Sequence, residues 1–122
     1  MSPTTQTVAG IGIDIVDLER FASAKYVDRV AEYILTERER GWMNTSRDPI
    51  QYLASRFAAK EAVIKSIPLP LGYQDIEVRK DGLRPVVSLQ RADAEAYRVE
   101  ISISHCPAYA VSSAISFVDA AL

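Results

Sequence analysis

The longest regular pattern of the chain lies between residues 52 and 67, where apolar side chains recur at intervals of three and four. This spacing places them on one face of a helix of about four turns. The segment has no internal Gly or Pro, and Pro68 follows it, so we expect the helix to end there. The apolar face carries Leu53, Phe57, Ile64 and Ile67. This helix is predicted to be the central element of the core.

Two charged residues interrupt or border that apolar face. Lys60 falls within it, and Glu61 lies on its flank, one turn before Lys65. One interpretation is an ordinary Glu61–Lys65 pair along the helix, with Lys60 extending its ammonium to solvent. The other is functional, because an ionised group beside a core face needs an opposite charge, a hydrogen bond or a metal ion. The helix alone does not decide between them.

A short apolar run with two glycines, residues 8–16, predicts a buried strand near the start of the chain. Asp14 stands inside this run with Ile on both sides. A carboxylate at such a position is costly unless it is paired or binds a cation. Asp14 is therefore either the cap of the helix that follows or a metal-binding or otherwise functional residue.

The remaining elements follow from changes in periodicity and from turn residues. Pro49 is favourable close to the start of the central helix. A first helix is predicted from Asp17, with Leu18, Phe21 and Ala22 inward. A second covers residues 28–35, and a third begins at a capping box of Thr36 and Glu39. Strands are predicted over residues 74–79, 85–89, 99–104 and 109–117, with a short helix or loop over 91–98.

Composition limits the class of protein. The chain has 122 residues, of which 48% are hydrophobic and 25% charged, and this predicts a single domain over residues 1–122 with residues 1–7 frayed. A net charge of -2 argues against a nucleic-acid-binding protein. The one cysteine excludes an intrachain disulfide and a cysteine-based zinc cluster. No apolar run is long enough to span a membrane and no signal peptide is apparent, so we expect a cytoplasmic protein.

The last predicted hairpin carries the only histidine, His105, at the end of a strand. A lone histidine in such a place is either structural or catalytic. Its neighbour Cys106 is poorly placed to form a nucleophile–base pair with it, and we interpret Cys106 as a loop residue. Two carboxylates from different elements, Asp14 and Glu61, with Lys65 nearby, suit a hard cation that also binds phosphate oxygens. The combination predicts magnesium-assisted phosphoryl or nucleotidyl-type transfer.

Four segments carry a resemblance to a known family. They are GIGIDIVDLERF (10–21), RFAAKEAVIKSI (56–67), DIEVRKDGLRP (75–85) and ISISHCPAYAV (101–111). In order and spacing they resemble the holo-acyl-carrier-protein synthases, the short AcpS-type 4'-phosphopantetheinyl transferases. The resemblance covers nearly the whole chain from Gly10. It implies an α+β fold, with a small antiparallel sheet packed on a long central helix, and a homotrimer with active sites between subunits.

The resemblance also implies a role for each matching residue. Asp14 and Glu61 would be the magnesium ligands, and Lys65 would lie by the coenzyme A diphosphate. His105 would lie near the reacting phosphate and coenzyme A. Further coenzyme A contacts would come from Arg56, Ser104, Arg84 and Pro85, and the acidic carrier protein would dock on Arg20 and Arg29.

The implied reaction moves 4'-phosphopantetheine from coenzyme A to a serine of an apo acyl carrier protein and releases 3',5'-ADP. Asp14 or Glu61 would accept the serine proton, and the sequence leaves both open. The chain departs from the family pattern at Leu83-Arg84-Pro85, at Cys106 and over residues 66–73. The alternatives are an inactive homologue that binds coenzyme A or carrier protein, and a nucleotide-binding domain of other chemistry.

Overall fold

The computed structural model describes residues 5–119 and contains two antiparallel sheets and four α-helices. The larger sheet has the order β1-β5-β4, and the smaller is the hairpin β2-β3, whose turn places Gly82 at φ +64°. The strands are β1 (Gln6–Asp17), β2 (Ile76–Asp81), β3 (Arg84–Leu89), β4 (Tyr97–His105) and β5 (Tyr109–Asp119). The α+β expectation is confirmed.

The helices precede the smaller sheet in the chain. They are α1 (Glu19–Ala22), α2 (Val27–Ile34), α3 (Glu37–Asn44) and α4 (Pro49–Ser66), with short 3-10 turns at Tyr73–Asp75 and Ala92–Ala94. The predicted capping box opens α3, where the Thr36 hydroxyl accepts from Glu39 N and the Glu39 carboxylate accepts from Thr36 N. Pro49 is the first residue of α4, as expected, and the Asp48 side chain caps that helix.

The central helix α4 is more deeply buried than its periodicity predicted. An unbroken run from Leu53 to Lys60 is buried, so burial extends around the helix and is not confined to one apolar face. One core cluster surrounds its first half together with α1, α2 and α3, and another surrounds its second half between the two sheets. The helix is therefore shared by both halves of the core.

β1 lies directly on the backbone of α4 because two of its residues lack side chains. A Cβ atom on Gly12 would be 2.0 Å from the carbonyl oxygen of Ala62, and one on Gly10 would be 2.2 Å from that of Ser66. Alternate residues of a strand face the same side, so Asp14 faces the helix as well. The two glycines thus bring a carboxylate of β1 to the flank of α4.

The opposite face of β1 is exposed, which corrects the prediction of a buried strand. Ile11, Ile13 and Ile15 have exposed fractions of 73%, 65% and 65%, and Ile115 lies beside Ile11 on β5. The helix covers one side of the larger sheet, and nothing within residues 5–119 covers the isoleucines on the other side. The apolar run in the sequence does not show which face of the strand the helix covers.

Several smaller expectations are corrected. Asp14 does not cap the helix that follows β1: the N-cap residue is Leu18, and the carboxylate that accepts from Glu19 N, at 3.0 Å, is that of Asp17. Ala22, expected inward, is exposed, because α1 ends after one turn. β4 already begins at Tyr97, inside the segment expected to be a short helix or loop. The first strand starts at Gln6, whereas residues 1–4 lie outside the described part of the chain.

Within residues 5–119, no helix is both long enough and apolar enough to cross a membrane.

Candidate active site

Lys60 is fully buried, so the interpretation that its ammonium extends to solvent is wrong. Its ammonium donates to Glu39 Oε1 at 2.6 Å, to the carbonyl of Ile34 at 2.8 Å and to the carbonyl of Tyr73 at 3.0 Å. Burial lowers the pKa of Lys60, and the charge and hydrogen bond of Glu39 oppose that shift. Lys60 therefore joins α4 to the end of α2, to α3 and to the turn before β2.

Glu39, its partner, was predicted only as a capping-box residue and not as the partner of Lys60. The same carboxylate accepts from Thr36 N at 2.8 Å and from Val78 N at 2.8 Å. The capping-box spacing showed that Glu39 points back toward the start of α3, but not that a lysine and a strand amide also reach it. The pair is structural, because all its partners are groups of the fold.

Lys65 pairs with Asp14 and not with Glu61, contrary to the predicted pair along the helix. Lys65 Nζ lies 3.2 Å from Asp14 Oδ1 and donates to the carbonyl of Ile13 at 2.9 Å. The Lys65 side chain is 50% exposed and that of Asp14 is 18% exposed. An exposed ammonium beside a partly exposed carboxylate is accessible to a phosphate ligand or a cation.

Glu61, on the same helix one turn before Lys65, is half-buried. Tyr73 Oη donates a hydrogen bond to Glu61 Oε1. Burial and this bond to the carboxylate raise the pKa of Tyr73, so the phenol stays protonated. Both residues line an open cavity of about 670 Å³ that is also bordered by Tyr33, Arg40 and Leu71.

Asp14 and Glu61 fit the donor set of a magnesium ion. Within residues 5–119 there is no group of three or more His, Cys, Asp or Glu side chains arranged to hold a metal. Magnesium typically takes one or two carboxylates and keeps its other positions for water and substrate phosphates. Two carboxylates on neighbouring elements, with an ammonium beside one of them, match that mode of binding.

Arg56 and His105 border a second cavity, of about 590 Å³, together with Pro85. Arg56 is 5% exposed, its guanidinium lies 4.4 Å from the centre of the Tyr52 ring, and its Nε has no hydrogen-bond partner. Burial raises the pKa of Tyr52 to about 12. A buried cation with an unpaired donor favours an anionic ligand in this cavity. Arg38, Arg79 and Lys80 also line it.

The structure does not bring all the predicted site residues together. Asp14, Glu61 and Lys65 are absent from the described lining of the Arg56–His105 cavity. Ser104 and Arg84 are exposed and likewise do not line it, although Pro85 does. Ser104 projects from the face of β4 opposite that of His105, because neighbouring strand residues alternate.

The two predicted docking residues lie on the exposed side of the first helices. Arg20 stacks over the Phe57 ring, with its guanidinium carbon 5.2 Å from the ring centre, and Arg29 stacks over Tyr26 at 5.5 Å. Lys25 lies 5.6 Å from the same Tyr26 ring. All three cations are exposed, and each lies over an aromatic ring.

A sequence model of the 4'-phosphopantetheinyl transferase superfamily matches residues 10–114. The chain therefore belongs to this superfamily of transferases, as its motifs predicted. Within it, the curated relatives are holo-[acyl-carrier-protein] synthases. That of Chlamydia trachomatis serovar L2 is 37% identical over 116 residues, covering 88% of this chain and 98% of its own. The synthase of Clostridium acetobutylicum is 35% identical over 121 residues, and the match covers 88% of this chain and 96% of the relative.

Solved structures agree with this assignment. The holo-(acyl-carrier-protein) synthase of Bacillus anthracis, in complex with coenzyme A (3',5'-ADP), superposes with a TM-score of 0.81 at 34% identity, covering 92% of this chain and 98% of its own. The synthase of Helicobacter pylori in complex with coenzyme A gives a TM-score of 0.73 at 26% identity. The match covers 85% of this chain and 96% of the Helicobacter pylori chain. The expected family and fold are both confirmed.

Proposed function

We propose that this protein transfers 4'-phosphopantetheine from coenzyme A to a serine hydroxyl of an apo acyl carrier protein, with magnesium bound by Asp14 and Glu61. The observation that carries the proposal is the cluster of Asp14, Lys65 and Glu61. It combines the donors for a hard cation with a half-exposed ammonium that can bind a phosphate, in a chain of the transferase superfamily.

The reaction is a displacement at the phosphorus that carries the pantetheine arm. The serine Oγ forms a bond to that phosphorus, the diphosphate linkage breaks, and 3',5'-ADP leaves. Bound Mg²⁺ supplies Lewis-acid neutralisation of the diphosphate charge. Lys65 stabilises phosphate oxygens, since its ammonium is half exposed beside Asp14. A carboxylate of the cluster, Asp14 or Glu61, accepts the serine proton directly or through water.

The Arg56–His105 cavity is proposed to hold other phosphate groups of coenzyme A. Arg56 is buried with an unpaired Nε, and four further basic side chains border the same space: Arg38, Arg79, Lys80 and His105. His105 adds positive charge only when it is protonated. An anionic ligand satisfies the buried guanidinium at little further desolvation cost.

A homotrimer explains why the two groups of residues lie apart in one chain. Asp14, Glu61 and Lys65 of one subunit would face Arg56 and His105 of a neighbour. Ile11, Ile13 and Ile15 support such an assembly, because a contiguous exposed apolar stripe of a sheet is typical of a subunit interface. Coenzyme A would then bind between subunits.

Intact-mass spectrometry tests the proposed transfer. An apo acyl carrier protein is incubated with this protein, coenzyme A and magnesium, and we expect its mass to rise by about 340 Da, the phosphopantetheine group less water. Removing magnesium with EDTA should abolish the gain, and Glu61→Gln should abolish it while leaving the fold intact. If several carrier proteins gain no mass although coenzyme A binds, the protein is instead an inactive binding homologue.

A further inference from the structure

We propose that Tyr73 is a positioning residue that fixes the Glu61 carboxylate for cation binding, an inference that rests on the proposed function. The Tyr73 hydroxyl donates to Glu61 Oε1. A carboxylate offers two oxygens, and a donor held on one of them sets the rotation of the group and leaves the other oxygen free. Partners of this kind orient metal ligands and tune their affinity.

Tyr73 is itself held from several directions. Its backbone carbonyl accepts from the buried Lys60 ammonium at 3.0 Å. Its ring packs at 5.5 Å from the Tyr33 ring and at 5.7 Å from the Phe57 ring, measured between centroids. The hydroxyl therefore reaches Glu61 from a side chain with fixed backbone and fixed ring. This rigidity is what a positioning residue requires.

The hydroxyl of Tyr73 is the side-chain partner of Glu61 among the described residues. Within residues 5–119, no lysine or arginine forms an ion pair with Glu61, and the hydrogen bond to its carboxylate comes from Tyr73. Asp14, by contrast, is paired with Lys65. The orientation of the Glu61 side chain on the half-buried flank of α4 is thus determined by Tyr73.

The competing explanation is that Glu61 merely satisfies the hydroxyl of a partly buried tyrosine. The two explanations make different predictions for Tyr73→Phe, which removes the hydroxyl and keeps the ring. A purely structural role would lower the unfolding midpoint and leave cation affinity unchanged. A positioning role would weaken cation binding, even in folded protein.

The test compares Tyr73→Phe with the matched control Tyr33→Phe, which removes a hydroxyl from the adjacent ring without touching Glu61. Binding of Mn²⁺ in the presence of coenzyme A is measured by the loss of the free-ion electron paramagnetic resonance signal. We expect Tyr73→Phe to weaken binding about ten-fold and Tyr33→Phe to leave it unchanged. The magnesium concentration for half-maximal transfer should rise by the same factor, while kcat at saturating magnesium stays within about threefold.

Unchanged or tighter Mn²⁺ binding by folded Tyr73→Phe protein would overturn the role of Tyr73 and leave the proposed function standing. Equal weakening by Tyr33→Phe would overturn it too, because the effect would then belong to the cavity and not to the hydrogen bond. If the unsubstituted protein neither bound Mn²⁺ nor modified a carrier protein, the proposed function itself would fail, and Tyr73 with it.

Discussion

At the scale of single residues, neighbouring charges on one helix have opposite roles. Lys60 is buried and bonded to Glu39 and two backbone carbonyls, whereas Lys65 is half exposed and pairs with one carboxylate. Burial decides the difference, because a buried ammonium needs all its hydrogen bonds satisfied by the fold, while an exposed one can exchange its partner for a ligand. Lys60 therefore supports the fold, and Lys65 is available to substrate.

Replacing Lys60 by Met tests this division. The substitution leaves Glu39 buried without its counter-charge, and we expect the free energy of unfolding to fall by about 3–5 kcal/mol. Urea denaturation followed by circular dichroism measures the change. Lys65→Met is the matched control on the same helix and should alter the free energy of unfolding by less than about 1 kcal/mol. Similar losses in the two variants would contradict a structural role particular to Lys60.

At the scale of elements, the packing of β1 on α4 places the residues of the proposed magnesium site. Gly10 and Gly12 allow the strand to touch the helix backbone, and Asp14 then lies beside Lys65. The site thus depends on two positions that carry no functional group. The two glycines matter because a side chain at either position would force the backbone of β1 away from the backbone of α4.

Gly12→Ala should separate these elements. The new methyl group would lie 2.0 Å from the carbonyl oxygen of Ala62 and would force β1 away from α4. We expect a loss of stability of about 1–3 kcal/mol and a fall in kcat/KM of about 10- to 100-fold, because Asp14 moves away from its partners. Denaturation and carrier-protein mass assays measure the two effects.

Gly41→Ala provides the control, since a Cβ there would meet no atom within 4 Å and the residue lies inside α3. It should retain full transfer activity and gain slight stability. Full activity in Gly12→Ala would contradict the view that this contact places Asp14.

The first two helices are expected to dock the carrier protein through their exposed cations. Arg20→Glu should raise the KM for an acidic carrier protein about ten-fold and leave the KM for coenzyme A unchanged, since charge reversal on an interface rim weakens association with that partner. Steady-state kinetics with each substrate varied in turn measures both values. An equal rise in both would contradict the docking role.

Arg29→Glu distinguishes docking from packing in this region. Arg20 stacks on Phe57 as well as facing solvent, whereas Arg29 stacks on the exposed Tyr26. Both variants should weaken docking if charge is the cause. An effect confined to Arg20→Glu would indicate loss of the Phe57 contact instead.

At the scale of the whole molecule, two groups of polar residues lie apart and one sheet face is apolar and exposed. Asp14, Glu61 and Lys65 do not line the Arg56–His105 cavity, and Ile11, Ile13 and Ile15 lie exposed on the larger sheet. The proposed symmetric assembly would account for both features, because a head-to-tail contact repeated around a ring would cover the apolar face and bring the two groups of residues together.

Mixed assemblies test the shared site. Glu61→Gln and His105→Ala subunits are each expected to lose most activity alone. If a site takes Glu61 from one subunit and His105 from the next, reassembly of an equal mixture should restore about a quarter of the sites by random pairing. Transfer is measured before and after subunits exchange under mild denaturant. No recovery, with exchange verified by native mass spectrometry, would contradict a site between subunits.

Most local elements and the main chemical groups could be predicted from the sequence alone. The proline and capping signals predicted α3 and α4 because they act within a few residues. The order and spacing of four segments, GIGIDIVDLERF and RFAAKEAVIKSI among them, predicted the family. Asp14, Glu61 and Lys65 were selected because charges are costly beside apolar runs. These features can be predicted from the sequence because they do not depend on long-range contacts.

The partners of these groups could not be predicted, because they depend on the packing of distant elements. Lys60 binds Glu39, 21 residues earlier in the chain, and Lys65 binds Asp14, 51 residues away, although a nearer carboxylate was available on its own helix. Such pairings depend on how strands and helices approach each other. The periodicity of a segment carries no information about the distance between that segment and another element. The exposed face of β1 and the hydrogen bond from Tyr73 to Glu61 could not be predicted either, because burial and long-range contacts are properties of the packed chain.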